Sequence, residues 1–327
     1  MERIFLQQST EVLNLKEGQL ILREGTKVLD VFPIATVEQV CVYGNAQITT
    51  QALKECLKEG IRVLYFTING RFLGRMEPDY PRDTVRRLNQ YRVYWDRPRR
   101  LAWAKELLRA KVRGEQVELR RLRERGIDFP ADKLREKLKT SEGMIERART
   151  LPELLGVEGT FTRHYFSVFG RLLPPGFRWE GRSTFPAADV ENSLLSLIYG
   201  CCAMEFRKLC EYHGLDPHCS FLHEPGRNRG GLVYDLLEIC RAPLCDHYAF
   251  FCFRKYAKAL LKNGRAPSIP AELREKICSG FTEKLSLRKS RQKFSGQELL
   301  REIIGNTLRC IDLETAVPEY TVLLPAR

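Results

Sequence analysis

The stretch FLHEPGRNRGGLVYDLLEICR, residues 221–241, sets one imidazole, His223, before a basic, glycine-rich loop and two carboxylates, Asp235 and Glu238, after it. These are side chains that ligate divalent ions and move protons. With a helix starting at Gly231, Asp235 and Glu238 stand three apart on one face, and Arg241 continues that face. Leu232, Leu236, Leu237 and Cys240 form the apolar side. Taken alone, the pattern fits a solvated outer acidic stripe with a Glu238–Arg241 ion pair. A further carboxylate has unusual neighbours. In LLGVEGTFTRHYF, residues 154–166, the spacing of Leu154, Leu155, Phe161, Tyr165 and Phe166 is helical, yet Gly156 and Gly159 flank Glu158. Each glycine costs a helix interior about 1 kcal/mol relative to alanine. The pair therefore points to a close approach to the backbone, by a metal ion, a phosphate chain or a crossing helix.

One imidazole with two or three carboxylates suits Mn²⁺ or Mg²⁺ better than structural zinc. Glu158, His223 and Glu238 lie on separate elements and converge only through folding. Asp235 is either a fourth oxygen donor or a partner that orients a ligand. Arg227 and Arg229 would hold phosphate oxygens against the ion. The cysteines and histidines between Cys201 and Cys252 form no paired Cys-x-x-Cys framework and are expected as small core residues, with His164, His213, His218 and His247 structural or on the surface. A second basic segment, FTEKLSLRKSRQKF, carries Lys284, Arg288, Lys289, Arg291 and Lys293, as added phosphate contacts or as a solvated loop. No phosphate-binding P-loop, Ser-His-Asp order or dinucleotide fingerprint is present.

The elements that must position these groups fall into two halves. In the first eighty residues VLNLKEGQLIL alternates around a Glu-Gly turn, the pattern of a β-hairpin. KVLDVFPI, VEQVCVYG, IRVLYFTI and GRFLGRM follow as strands, and TTQALKECLKEG is a helix capped by Thr49 or Thr50 and stopped by Gly60. MEPDYPRD, residues 76–83, marks the boundary with two prolines and a change of period. Beyond it the chain reads as helices, including a long basic one ending at Gly126, a charged one around 131–149, and an apolar, buried one from Pro186 to Tyr212. The expected fold is α+β: a small β-rich domain over residues 1–78, then a larger all-α domain over 79–327.

The chain has 327 residues, 43% of them hydrophobic, and a net charge of +13. Residues 81–125 hold fifteen Arg or Lys against six Asp or Glu, so nine of those thirteen charges sit in one segment. Such a field attracts polyanions, nucleic acid above all, and arginine suits bidentate phosphate contacts. Eleven cysteines, an odd number, argue for reduced thiols and a cytoplasmic protein. No apolar run nears the roughly 20 residues that cross a bilayer, and MERIFLQQST lacks the apolar core of a secretory signal.

Together these motifs resemble the CRISPR-associated endonuclease/integrase family of spacer acquisition, the Cas-one family, over nearly the whole chain. The resemblance rests on Val40, Val42 and Gly44, then ALKECLKEGIRVLYF and NGRFLG, then LLGVEGTFTRHYF, GRSTFPAADVENSLLSLIYG and FLHEPGRNRGGLVYDLLEICR, in that order. It implies that Glu158, His223 and Glu238 hold Mg²⁺ or Mn²⁺ and act in catalysis, with Asp235 at the family's additional acidic position. Arg182 and Asn192 match positions assigned to support of the site and to DNA contact. GRSTFPAADVEN departs from the commoner GR-x-RRPP-x-D-x-VN form, which puts basic contacts near Arg182 in doubt. It implies a homodimer formed through the N-terminal domain and assembly with the second CRISPR-associated adaptation protein (Cas-two). The substrate is double-stranded DNA, with arginines of residues 82–125, and Arg109, Lys111 and Arg113 in particular, on its phosphates. The activity implied is transesterification, in which a 3′-hydroxyl attacks a phosphodiester at the CRISPR repeat, with nuclease activity when water replaces the hydroxyl. A metal-independent nucleic-acid binder and a structural subunit are the competing expectations.

Overall fold

In the computed structural model, which describes residues 2–68, 70, 72–76, 83–124, 126, 130–184, 186–224, 231–262, 264–288, 294–314 and 317–322, the expected hairpin is formed by β2 (Glu11–Lys16) and β3 (Gln19–Glu24). Its turn places Glu17 and Gly18 at positive φ, 51° and 73°, as a tight two-residue connection requires. Six further strands complete this half: β1 (Glu2–Leu6), β4 (Lys27–Pro33), β5 (Val37–Tyr43), β6 (Gln47–Ile48), β7 (Arg62–Phe66) and β8 (Phe72–Met76). They form two four-stranded sheets, ordered β1-β5-β7-β8 and β4-β3-β2-β6. Helix α1 (Thr50–Lys58) is capped by Thr49, whose hydroxyl accepts from the Ala52 amide, and Gly60 ends it at φ 76°. Leu6, Leu13, Leu20, Val40, Val63, Ala52 and Cys56 close a core of their own.

The chain divides into two compact units, Met1–Tyr80 and Pro81–Arg327. The second is helical, so the α+β expectation is met. Its helices are α2 (Thr84–Trp95), α3 (Arg97–Glu124), α4 (Ala131–Arg147), α5 (Leu151–Phe169), α6 (Val190–Tyr212), α7 (Leu232–Cys240), α8 (His247–Lys255), α9 (Ala257–Leu260), α10 (Ala271–Ser286) and α11 (Gly296–Asp312). Helix α6 is the buried one, but it starts at Val190, not at Pro186. Asp189 caps it by accepting from the Asn192 amide, and the segment before it is extended.

Helix α3 is the axis of this unit and packs against α4, α5 and α7. Arg100, Ala104, Leu107, Lys111, Glu115, Glu118 and Leu122 follow one another at steps of three or four and are all buried. Helix α7 runs into α8 through a π-helical turn, Arg241–Asp246, that contains Pro243. Proline has no amide to bond the carbonyl of Ile239, and widening the turn accommodates the loss. That carbonyl meets α3 closely: a Cβ on Gly114 would lie 3.1 Å from it and 3.1 Å from Pro243. A glycine thus gives the closest fit where α3 crosses the helix carrying Asp235 and Glu238.

Candidate active site

Glycine 231 does begin the helix, as the N-cap of α7. A Cβ there would stand 2.0 Å from the carbonyl oxygen of His218, so only glycine lets the two chain segments pass. The acidic face of α7 does not look outward. Asp235 is fully buried, Glu238 is 4% exposed, and the expected Glu238–Arg241 ion pair is present at 2.9 Å with its carboxylate turned inward. The outer stripe is thus corrected to an inner one. The apolar side that suggested outward polarity continues around the helix through Val233 and Ile239, and the exposed position on it is Tyr234 rather than a carboxylate.

Asp235 holds the histidine. One carboxylate oxygen takes the Nδ1 of His223 at 2.8 Å and the hydroxyl of Ser220 at 2.8 Å. The other accepts from the Ser220 hydroxyl and from the amides of Phe221 and Leu222 at 2.8, 2.6 and 3.0 Å. With both oxygens occupied by donors, the geometry favours orientation over direct ligation, the two roles open to this residue. From the opposite side Arg100 donates to the carbonyls of Phe221 (3.0 Å) and His223 (2.9 Å) and pairs with Glu224. The histidine side chain, 37% exposed, is left with Nε2 as its unassigned nitrogen. Its hydrogen bond to Asp235 raises its pKa above the ordinary histidine value against the opposing effect of burial, and the charges of Asp235, Glu238 and Glu158 add to the rise.

Glu158 on α5 and Glu238 on α7 are brought to a common cation, the ammonium of Lys111. Lys111 contacts Glu158 Oε1 directly and stands 2.8 Å from Glu238 Oε2. Burial disfavours its charge, but Glu238 and Glu158 together outweigh burial and hold it above the ordinary lysine value. Glu238 is likewise pushed up by burial and pulled further down by Arg241 and Lys111, ending below the usual carboxylate range. Thr162 donates to Glu158 Oε1 at 2.9 Å. Gly156 and Gly159 face open space, with nothing within 4 Å of a Cβ built on either, so the crossing helix offered as one explanation for them is absent among the described residues.

Lys111 was expected on DNA; it is instead a buried member of this cluster, only 3% exposed. Its place was legible in the stripe from Arg100 to Leu122, whose period puts it on the core face. Arg109 is paired with Glu106 and Glu146, and Arg113 with Glu106 and the carbonyl of Tyr320. Arg86 and Arg92 are likewise paired, with Asp312 and Glu314. Much of the basic segment is thus answered within the chain. Arg182 donates to Ser183 and Asn192 carbonyl groups and to Ser196, and its guanidinium lies 5.3 Å from the Tyr199 ring, whose distance from Arg241 is 5.0 Å. Tyr199 and Tyr165 donate to Asp246 at 2.6 and 2.9 Å. Arg182 and Asn192 thereby support the ring beside Arg241. Arg227 and Arg229, and Lys289, Arg291 and Lys293, lie outside the described residues.

Among the described residues no group of three or more His, Cys, Asp or Glu side chains is placed to hold a metal ion. The ammonium of Lys111 lies between the two carboxylates. The donor set nevertheless fits a hard divalent ion. It offers two carboxylates from facing helices and an imidazole with its other nitrogen fixed, and Glu238 Oε2 is buried with no hydrogen bond of acceptable geometry despite the nearby ammonium.

Comparison with known proteins agrees across sequence and fold. A family model described as CRISPR associated protein Cas1 matches residues 4–263. CRISPR-associated endonuclease Cas1 3 of Thermus thermophilus is 32% identical over 245 residues, 74% of this chain and 71% of that protein. CRISPR-associated endonuclease Cas1 of Mycobacterium tuberculosis is 31% identical over 248 residues, 75% of this chain and 72% of that one. A solved casposase bound to integration product shares the fold with a TM-score of 0.80 at 21% identity, covering 98% of this chain and 93% of its own. A CAS1 protein from Thermotoga maritima does so with a TM-score of 0.78, at 21% identity, covering 98% and 100%.

Proposed function

Because the chain belongs to the CRISPR-associated Cas1 family of endonucleases and integrases, we propose that it inserts short duplex DNA into a CRISPR repeat by divalent-metal-dependent strand transfer. A prespacer 3′-hydroxyl attacks a repeat phosphodiester in line. The new oxygen–phosphorus bond forms as the repeat's own bond to its 3′ oxygen breaks, the attacking hydroxyl loses its proton and the departing oxygen gains one. Hydrolysis by the same site, with water as nucleophile, is the nuclease reaction.

The single observation that carries this reading is the meeting of Glu158 and Glu238 around one cation seat, beside a histidine whose Nδ1 is fixed by a buried aspartate. Mg²⁺ or Mn²⁺ in that seat supplies Lewis-acid neutralisation of charge at the phosphate. Glu158 and Glu238 offer the oxygens for it, and His223 offers Nε2 in the neutral form that Asp235 and Ser220 orient. Arg241, 2.9 Å from Glu238, keeps that carboxylate ionised and in place. The bare flank of α5 at Gly156 and Gly159 is where a DNA backbone can come close to Glu158.

Duplex DNA and the second CRISPR-associated adaptation protein are the partners proposed, in keeping with solved neighbours named as a Cas6-RT-Cas1–Cas2 complex and a casposase bound to integration product. A homodimer through the β-rich unit is proposed with them, and the cell interior as the place of action. No helix among the described residues is long and apolar enough to cross a membrane. The test is half-site integration of a fluorescent 3′-hydroxyl duplex into a repeat-bearing plasmid, with and without the second protein. The product is expected with Mn²⁺ or Mg²⁺ and absent from Glu158→Ala; strand transfer that survives EDTA refutes the metal mechanism.

A further inference from the structure

We infer that Lys111 is a built-in counter-cation that keeps Glu158 and Glu238 together until a divalent ion arrives, then moves one helical turn along α3 to Glu115. It is a positioning residue, and the inference rests on the proposed ion site. Two carboxylates drawn from separate helices into a buried space repel each other, and without a cation between them the site would spread or take up protons. Lys111 prevents both, with one ammonium on both carboxylates and only 4% of its side chain exposed. The same contact makes it a competitor, because an ion ligated by Glu158 and Glu238 needs the volume that the ammonium fills.

The second seat is marked independently. Glu115 lies four residues on, on the same buried face of α3, and is 3% exposed. Its Oε2 is buried and has no hydrogen-bond partner among the described residues, which for a carboxylate oxygen is an unfilled position that needs a reason. Side chains at i and i+4 of a helix are neighbours, and a lysine chain is long and flexible enough to swing between them. Glu115 is thus an acceptor held ready for an ammonium that has left its first place.

Opposite signs are expected from two neighbouring substitutions. Titration calorimetry with Mn²⁺ on the intact chain should show Lys111→Met binding at least ~10-fold more tightly than the unmodified protein. Glu115→Leu should bind several-fold more weakly, and in the Lys111→Met background it should change nothing further. The melting-temperature gap between EDTA and Mn²⁺ should widen in Lys111→Met, because its ion-free form loses the counter-charge. Lys111→Gln, polar and closer in shape, should follow the same direction and serves if the methionine variant does not fold. Unchanged or weaker Mn²⁺ binding by the Lys111 variants, or a Glu115→Leu protein that binds Mn²⁺ as tightly as the unmodified one, overturns the inference. If the unmodified protein itself binds no Mn²⁺, it is the ion site that fails.

Discussion

Asp235→Asn is the substitution that separates a ligand-orienting role from a merely structural one. The aspartate accepts from two backbone amides on Oδ2, and from Ser220 and His223 on Oδ1, with Ser220 reaching both. An asparagine of the same shape must put its NH₂ group in one of those two places. Toward Phe221 and Leu222 it would set donor against donor and orphan two buried amides, at about 1–3 kcal/mol each. Toward Ser220 and His223 the hydroxyl can rotate to accept, and the imidazole can answer by giving up its Nδ1 proton. The second arrangement wins, and the proton moves to Nε2. The ring then stays in place but has lost the lone pair it would offer an ion, a wrong-tautomer effect of the kind known from catalytic triads.

The expected result is Mn²⁺ binding weakened about 10–100-fold, up to about 2.7 kcal/mol, with strand transfer falling alongside. Exchanging a charged acceptor for a neutral one should lower stability by about 2 kcal/mol and the melting temperature by about 4–8 °C, leaving the fold intact at room temperature. Calorimetry of Mn²⁺ binding is the assay, with circular dichroism as the folding control. A folded Asp235→Asn protein that binds Mn²⁺ within about threefold of the parent would refute the tautomer reasoning, that margin being under 1 kcal/mol. Asp235→Ala is the poorer experiment, since it orphans the loop amides whichever role the residue has.

Three other outcomes follow from the same geometry. Glu158→Gln keeps a side chain able to contact Lys111 and Thr162 but removes a ligand charge, so strand transfer should drop at least ~100-fold, as expected for loss of transition-state stabilisation, while duplex affinity in a filter-binding assay run in EDTA stays near that of the parent. Gly159→Ala points a methyl into open space, so helix stability should rise by up to ~1 kcal/mol; integration should nevertheless fall if DNA approaches α5 there, and a more stable, fully active variant would remove that approach. Asp246 is raised to about 6, first by burial, which outweighs the hydrogen bonds from Tyr199 and Tyr165. A carboxyl more easily protonated in the folded state penalises folding above its folded pKa, and the penalty is relieved as pH falls through about 6 toward the ordinary aspartate range. Unfolding free energy should therefore gain on the order of 3 kcal/mol from this group between about pH 7 and pH 4, and Asp246→Asn should flatten that part of the urea-denaturation pH profile.

Turns and caps were the most legible parts of the chain, because they depend on few neighbours. The Glu-Gly hairpin, the Thr49 cap and Gly60 stop, and the start of α7 at Gly231 each follow from one or two residues with a local backbone requirement. The direction in which the acidic face of α7 points was not legible from α7 itself. A helix of nine residues with carboxylates on one side and leucines on the other looks half-solvated until a partner with opposite charge covers the polar side. That partner is α3, and its own composition misleads: fifteen basic residues over 81–125 suggest an outer field, whereas the one that matters chemically is on the inner stripe. Composition averages around a helix; only the period separates Lys111 from its half-exposed basic neighbours Arg109 and Arg113. Arg100 and Ser220 escaped notice for a different reason, since their work is to bond the backbone of a loop, and no spacing rule announces it.

The arrangement of charge also bears on which ligand the site is built to receive. Glu158, Glu238, Lys111 and Arg241 sum to zero, two carboxylates against two cations. A closed, neutral cluster has no need of a further cation for its own stability. Adding a divalent ion leaves the group doubly positive in a partly buried space, a state that is costly unless an anion joins it. A phosphodiester supplies one negative charge, and the attack of an alkoxide supplies the second as the reaction proceeds. Neutrality is then reached only when the reacting phosphate is most negative, which is where electrostatic stabilisation accelerates a reaction rather than merely binding its substrate. On this reasoning ion and DNA bind with positive coupling, each tightening the other's hold. A metal affinity that is unchanged by saturating duplex would show that the four charges are not balanced against the substrate at all.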